Sequence, residues 1–174
     1  MDFRVKKNAS VSSSLSKNKL FWDPTTSDTM HELTYTSLAD KNISTKNLND
    51  ILHTANEFNG ANAITGCLVS HNGQFVQTLH GEKRVIFDLM DRIKMDQRHS
   101  NINLVWEGPA AKEVFPGWNM AFFSPDDYTN PSKGLLDFEK KLITLSSFYK
   151  ADSASVRIFW SIVKDLCLHQ ANQT

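Results

Sequence analysis

Residues 66–81 read GCLVSHNGQFVQTLHG, and this stretch decides the fold. Asn72-Gly73 sits between two runs of β-branched and apolar residues, the strongest short-range signal for a two-residue hairpin turn. With those two residues at the centre of the turn, His71 faces Gln74, Ser70 faces Phe75, Val69 faces Val76 and Leu68 faces Gln77. Side chains alternate between the two faces of a strand, so Gln77 shares a face with Phe75, Leu79 and Leu68. That is the more apolar face, expected to look into a core. A buried amide without partners costs about 1–3 kcal/mol, so a glutamine there needs a reason.

The flanking segments extend the pattern. A strand is expected near Glu32, with Leu33, Tyr35 and Ser37 on one face. Ser44 or Thr45 can cap a helix whose apolar positions, Leu48, Ile51, Leu52, Ala55 and Phe58, recur at helical spacing. After the hairpin, a second helix is expected from about Glu82 to Met95, with Val85, Ile86, Leu89 and Ile93 on its inner stripe. Strands follow around 103–107 and 118–122. The order β-α-β-β-α-β-β predicts an α+β, ferredoxin-like sheet with two helices on one face. Two amphipathic helices come after Pro125, one with Leu135, Phe138, Leu142 and Leu145, the other with Val156, Phe159, Trp160, Val163 and Cys167. This C-terminal pair is expected to cover the second face, since a two-sided sheet needs both faces buried. Three regions result: a polar, serine-rich tail over 1–29, a central domain over 30–124, and a helical extension over 125–174.

Composition narrows the function. The 174 residues carry 19 Lys+Arg and 19 Asp+Glu, so no basic excess points to nucleic acid or to an anionic membrane. No apolar run reaches the length of a membrane span. Two cysteines make no disulfide framework, which predicts a reducing, cytoplasmic setting. There is no phosphate-cradling Gly-Lys-Ser/Thr loop, no nucleophile elbow, and no histidine pair at zinc-ligand spacing. What remains is a set of polar side chains on core-facing positions. These are Tyr35, Ser37, Asn59 and Gln77, with Trp118 and Met120 on the last strand, and Asp96, Arg98 and His99 past the second helix. Each has a plain structural explanation: a packed tyrosine, a helix-terminating Asn-Gly, basic groups at a helix C-terminus. Gln77 resists that treatment most. Together Gln77, Asn59 and Tyr35 suit a flat, polar-edged ligand lying between the two helices.

The chain resembles the BLUF domain, the flavin-binding blue-light sensor. The matching pieces are LTYTSLA at 33–39, DIL at 50–52, FN at 58–59, AITGCL at 63–68, GQFVQTLHG at 73–81, DQRHSNI at 96–102 and FPGWNMAF at 115–122, in family order across about residues 31–123. The resemblance implies that Gln77 is the switching glutamine, Tyr35 the redox tyrosine with Ser37 as its strand neighbour, and Asn59 the residue hydrogen-bonding the flavin edge. It implies that Ile51 and Ile93 clamp the ring, with Phe58 beside it. Asp96, Arg98 and His99 would lie near the ribityl chain and ring edge, and Trp118 and Met120 would form the pair tied to signalling. FAD is the implied cofactor, the protein would not be an enzyme, and a downstream protein partner in trans or a homo-oligomer would receive the signal. Two positions depart from the family pattern: His80 replaces a usual glutamate, facing away from the flavin, and Phe58 replaces a frequent polar or imidazole side chain. Two other functions suit such a sheet. One is a small acyl-phosphate hydrolase, with HGEKR at 80–84 as its anion loop; the other is a plain interaction or RNA-binding module.

Overall fold

A computed structural model describes residues 30–110, 119–124 and 153–168. In chain order the elements are β1 (Met30–Ala39), α1 (Thr45–Ala61), β2 (Thr65–His71), β3 (Gln74–Glu82), α2 (Lys83–Met95), β4 (His99–Pro109), β5 (Ala121–Phe123) and α3 (Ala154–Leu168). The five strands form one sheet in the order β4-β1-β3-β2-β5. All neighbours run antiparallel except β2 and β5. This is the expected ferredoxin-like arrangement.

The hairpin has the register that the sequence predicts: His71 opposite Gln74, Ser70 opposite Phe75, Val69 opposite Val76 and Leu68 opposite Gln77. Asn72 and Gly73 both take positive φ, 49° and 72°, as a type I′ turn requires. Gly66 is needed on β2 for a different reason. A Cβ there would lie 2.5 Å from the Thr78 carbonyl oxygen, closer than real contacts permit.

The helix boundaries follow capping chemistry. Ser44 accepts from the Asn47 amide, and the Asn47 side chain returns a bond to the Ser44 amide, so two orphan donors at the start of α1 are satisfied reciprocally. Glu82 caps α2, its carboxylate accepting from the Arg84 amide at 3.2 Å. That carboxylate occupies the helix start where HGEKR would have to cradle an anion.

The sheet is buried on both faces. On the first, Leu33, Tyr35, Ile64, Leu68, Phe75, Leu79, Ile86, Met90 and Met120 form a core against α1 and α2. On the second, Cys67, Val69 and Val76 pack against Val156, Phe159, Trp160, Val163 and Cys167 of α3. The stripe read for the last helix is therefore the face it buries. Each fully buried aliphatic or phenyl side chain contributes roughly 1.5–3 kcal/mol. The helix expected around Leu135–Leu145, Trp118 and the tail over 1–29 lie outside the described residues.

Two strands differ from expectation. β4 runs from His99 to Pro109, longer than 103–107, with two register shifts against β1. β5 spans Ala121–Phe123, shorter than the 118–122 expected, since among the described residues 119–124 these three find partners, Cys67–Val69 on β2. Parity is unchanged: Met120 and Phe122 belong to the first core, Ala121 and Phe123 to the second.

Candidate functional site

Tyr35 and Gln77 are directly opposed on β1 and β3. Both are buried on the face covered by α1 and α2. The Tyr35 hydroxyl donates to Gln77 Oε1. At the other end of the amide, Nε2 donates to Met120 Sδ at 3.4 Å. A thioether is a weak acceptor, so one end of the glutamine is held firmly and the other loosely. Burial pushes the Tyr35 phenol well above its ordinary pKa, and the Asp96 carboxylate adds to the effect. The phenol therefore keeps its proton at any ordinary pH.

Above this pair, α1 and α2 part to leave a cleft of about 230 Å³. Its floor is Tyr35, Leu68, Phe75, Gln77 and Met120; its walls are Ile51, Thr54, Ala55, Phe58 and Asn59 from α1 and Leu89, Arg92 and Ile93 from α2; Asp96, Arg98 and His99 close one side. Whole ligand pockets usually span roughly 300–1,000 Å³. This space suits the flat head of a ligand whose remainder lies outside.

Asn59 is the most informative wall residue. It is fully buried, its Nδ2 donates to the Asn119 carbonyl at 2.8 Å, and its Oδ1 has no hydrogen-bond partner among the described residues. A buried acceptor left unpaired costs about 1–3 kcal/mol. Asn59 is among the residues lining the cleft, and a ligand presenting an N–H to this oxygen would satisfy it. An imide edge supplies one, and the isoalloxazine of a flavin has such an edge beside a carbonyl that Gln77 could serve. The residues present fit that group.

The closing side is built from a short ion pair and a histidine. Arg98 Nε lies 2.9 and 3.0 Å from the two Asp96 oxygens. Those hydrogen bonds hold the Asp96 carboxyl below its usual range and raise Arg98. His99 Nε2 sits 3.0 Å from the Ile93 carbonyl oxygen and Nδ1 sits 2.9 Å from Ser37 Oγ. A carbonyl can only accept, so Nε2 carries the proton and Nδ1 accepts from the serine hydroxyl. Burial lowers the His99 pKa, which favours this neutral tautomer.

Of the residues singled out in the sequence, Tyr35, Ile51, Phe58, Asn59, Gln77, Ile93, Asp96, Arg98, His99 and Met120 all line the cleft. Ser37 does not; it stands behind His99 and orients its ring. Trp118 lies outside the described residues. His80 has the parity of Thr78 and faces the second sheet face, away from the cleft. Arg92 was not anticipated. Its guanidinium sits 4.8 Å from the Phe58 ring centroid, bridging α2 to α1 beside the cleft. The only local hint is its position next to Ile93, one turn before Asp96.

Fold and cleft define a ligand-binding domain for a flat molecule with polar edges. The chain belongs to the BLUF family, sensors of blue-light using FAD, whose model matches residues 30–121. BLUF domains are sensor modules, and residues 30–121 make up a flavin photoreceptor domain of this kind. The chain is 39% identical over 93 residues to photoactivated adenylate cyclase subunit beta of Euglena gracilis, and 34% identical over 104 residues to that organism's alpha subunit. Those matches cover 53% and 60% of this chain but only 11% and 10% of the relatives, so the chain spans about a tenth of their length. Among solved structures, the dark state of BlrB, a BLUF protein, aligns with TM-score 0.56 and 27% identity over 64% of this chain and 86% of that one. The ground state of BlsA aligns with TM-score 0.56 and 26% identity over 80% and 88%. Klebsiella pneumoniae BlrP1 with FMN and cyclic diGMP shares the fold at TM-score 0.62 and 21% identity, covering 80% of this chain and 35% of that one.

Proposed function

We propose that this protein is a blue-light receptor that holds FAD non-covalently, its ring between α1 and α2, and signals by rearranging the Gln77 amide. The observation that carries the reading is the chain of contacts Tyr35–Gln77–Met120 beneath a cleft whose wall includes Asn59, its Oδ1 unpaired among the described residues. Asn59, Arg98 and His99 would hold the flavin edge and Ile51 and Ile93 would clamp its faces. Phe58 would lie beside the ring, and Asp96 would act by orienting Arg98. When bound and excited by blue light, flavin supplies a strong electron acceptor.

The protein's own groups then have defined tasks. Tyr35 gives up an electron, and because the oxidised phenol is acidic its proton passes along the bond already made to Gln77 Oε1. Gln77 has an acceptor at one end and two donors at the other. Proton gain at the oxygen, or reversal of the amide, changes which atoms it offers to Tyr35, to Met120 and to the cleft. The weak Nε2–Sδ contact at 3.4 Å opposes that reversal little. When electron and proton return to Tyr35, the amide stays in its second arrangement until it relaxes. A buried polar network with two satisfied arrangements is a bistable element. Met120 and Trp118 would relay the change.

The same reading places residues 30–124 as the sensor, 1–29 as a tail and 125–174 as a helical extension. Burial of α3 against the sheet supports the extension's role as part of the output surface. A protein partner would receive the signal. Self-association is a second element of the reading, supported by the edge strand β4, which exposes Leu104 and Val105. A cytoplasmic location is supported by the low cysteine content, and no helix among the described residues is long and apolar enough to cross a membrane.

Purification in the dark tests the proposal. The protein should be yellow and should release intact FAD on heating, identified by mass. Blue light should move the flavin absorption slightly to the red, with slow reversal in darkness. A colourless protein that takes up no flavin would overturn the reading; one that binds FMN alone would correct the cofactor.

A further inference from the structure

The rung next to Tyr35–Gln77 pairs Thr34 with Thr78, and these two face the opposite side of the sheet. Both are buried, and so is Ser155 in the first turn of α3. Three hydroxyls meet there. Thr34 Oγ1 donates to the Ser155 carbonyl at 3.1 Å, and Thr78 Oγ1 donates to the Leu33 carbonyl at 3.1 Å. With both threonine protons on those carbonyls, the Ser155 hydroxyl proton has two acceptors within reach: Thr34 Oγ1 at 2.6 Å and Thr78 Oγ1 at 3.1 Å. A hydroxyl has a single proton to donate. In that arrangement Ser155 chooses between β1 and β3.

The rest of the contact fixes one side of that choice. Ser153 donates to Glu32 Oε2 at 2.6 Å and accepts from the Val156 amide at 3.0 Å, so the start of α3 is tied to β1. Thr78 belongs to the other strand, one residue from Gln77. The Tyr35–Gln77 bond joins the same two strands one rung from the clasp.

We infer that the Thr34–Ser155–Thr78 hydroxyl clasp is the output contact of the sensor, with Ser155 as a positioning residue whose proton moves from Thr34 to Thr78 when Gln77 rearranges. This inference rests on the photoreceptor reading above and extends it to the opposite face of the sheet. The arrangement in the structure, closer to Thr34, is the dark one. In the lit state the hydrogen bond to Thr78 draws α3 towards β3, and its seat on the sheet changes.

Isosteric substitutions separate the two states. Thr78→Val leaves Thr34 as the sole acceptor and favours the dark arrangement; dark recovery should quicken. Thr34→Val leaves Thr78 alone and favours the lit arrangement; recovery should slow. Each change should be on the order of threefold to tenfold, the worth of one buried neutral hydrogen bond. Ser155→Ala removes the choice while leaving both threonine donors their backbone acceptors, so the fold should survive it. In that variant α3 amides should exchange hydrogen at the same rate in light and dark, whereas in the unaltered chain the two rates should differ. The measurement uses the full flavin-loaded chain. If the unaltered protein shows no light-induced red shift, the photoreceptor reading fails and the clasp falls with it. If the shift is present but the two valine variants leave recovery unchanged, move it in the same direction or reverse the predicted pair, the clasp only docks α3 and the inference is overturned.

Discussion

Tyr35 and Gln77 face each other across one rung of the β1–β3 ladder, and the phenol donates its proton to the amide oxygen. This contact already joins the proposed electron donor to the proposed switch. Tyr35→Phe keeps the ring and its packing and removes only the hydroxyl. It leaves the Gln77 oxygen short of a donor, at a cost of about 1–3 kcal/mol. The variant should bind flavin with near-normal affinity and lose the red-shifted state. Gln77→Leu keeps a similar volume and deletes the amide; it should stay yellow and give no shift. An illuminated-minus-dark difference spectrum checks both, and a normal shift in Gln77→Leu would refute the switch.

Met120 sits between the amide and β5. Its sulfur accepts from Gln77, and the side chain is buried in the first core. Met120→Ala opens a cavity and should cost about 2 kcal/mol or more of stability. Flavin should remain bound and the red shift should remain, but the rate of dark recovery should change, since the Nε2 anchor is gone. Loss of flavin instead would make the residue a structural wall of the cleft.

Asn59→Ala tests the fit of the cleft to an imide. The substitution removes the unpaired oxygen and also the donor to the Asn119 carbonyl. Flavin affinity should fall by about tenfold to a hundredfold, the effect of one to two hydrogen bonds. Titration of apoprotein with FAD, followed by fluorescence quenching, gives the number. Unchanged affinity would mean that the ring edge lies elsewhere.

Ala63 takes φ of 52°, just beyond the Asn62 cap of α1, in a position where glycine is the usual occupant. Alanine there bears a cost of about 1–2 kcal/mol that glycine escapes. Glycine also has more unfolded-state freedom to lose, so the expected gain for Ala63→Gly is small, up to about 1 kcal/mol. Thermal unfolding measures it; a lower midpoint would show that the backbone at Ala63 is not held in the left-handed region.

Local pattern made much of this legible in the sequence, and long-range pairing hid the rest. The hairpin register was readable because Asn72-Gly73 admits few turns and alternation then places every side chain. Ile51 and Ile93 were readable as inner stripes of helices. β4 was harder: Asn101 takes φ of 52° and the register against β1 shifts twice, so alternation alone cannot follow its faces. β5 starts where β2 offers partners, which nothing in residues 118–122 announces. Ser37 shares the Tyr35 face, but its bond to His99 depends on β4 lying beside β1. Arg92 becomes part of the cleft only through the approach of α1 to α2. Ser155 lies 121 residues from Thr34 and 77 from Thr78, beyond the reach of any spacing rule.

His99 couples stability to pH. Its ring is wedged beside Tyr35 and Phe75, with both nitrogens engaged by Ser37 and the Ile93 carbonyl. Burial lowers its pKa from 6.5; Asp96 and the Ile93 carbonyl oppose that shift, while Arg98 favours it. In the unfolded chain the imidazole takes up a proton near 6.5, and in the folded chain it does so only at lower pH. Between those values the unfolded state binds more protons, so stability is present above 6.5 and declines as pH falls through this window. His31, lowered chiefly by its own burial, contributes in the same direction. His99→Gln should therefore make the decline shallower without abolishing it. Asp96 acts at lower pH with the sign of a depressed carboxylate: its contribution holds above its ordinary value of 3.8 and is lost below it. Urea unfolding at intervals from pH 7 to pH 3, for the unaltered protein and His99→Gln, separates the two windows. Identical profiles above pH 5 would show that His99 titrates alike in the folded and unfolded chains.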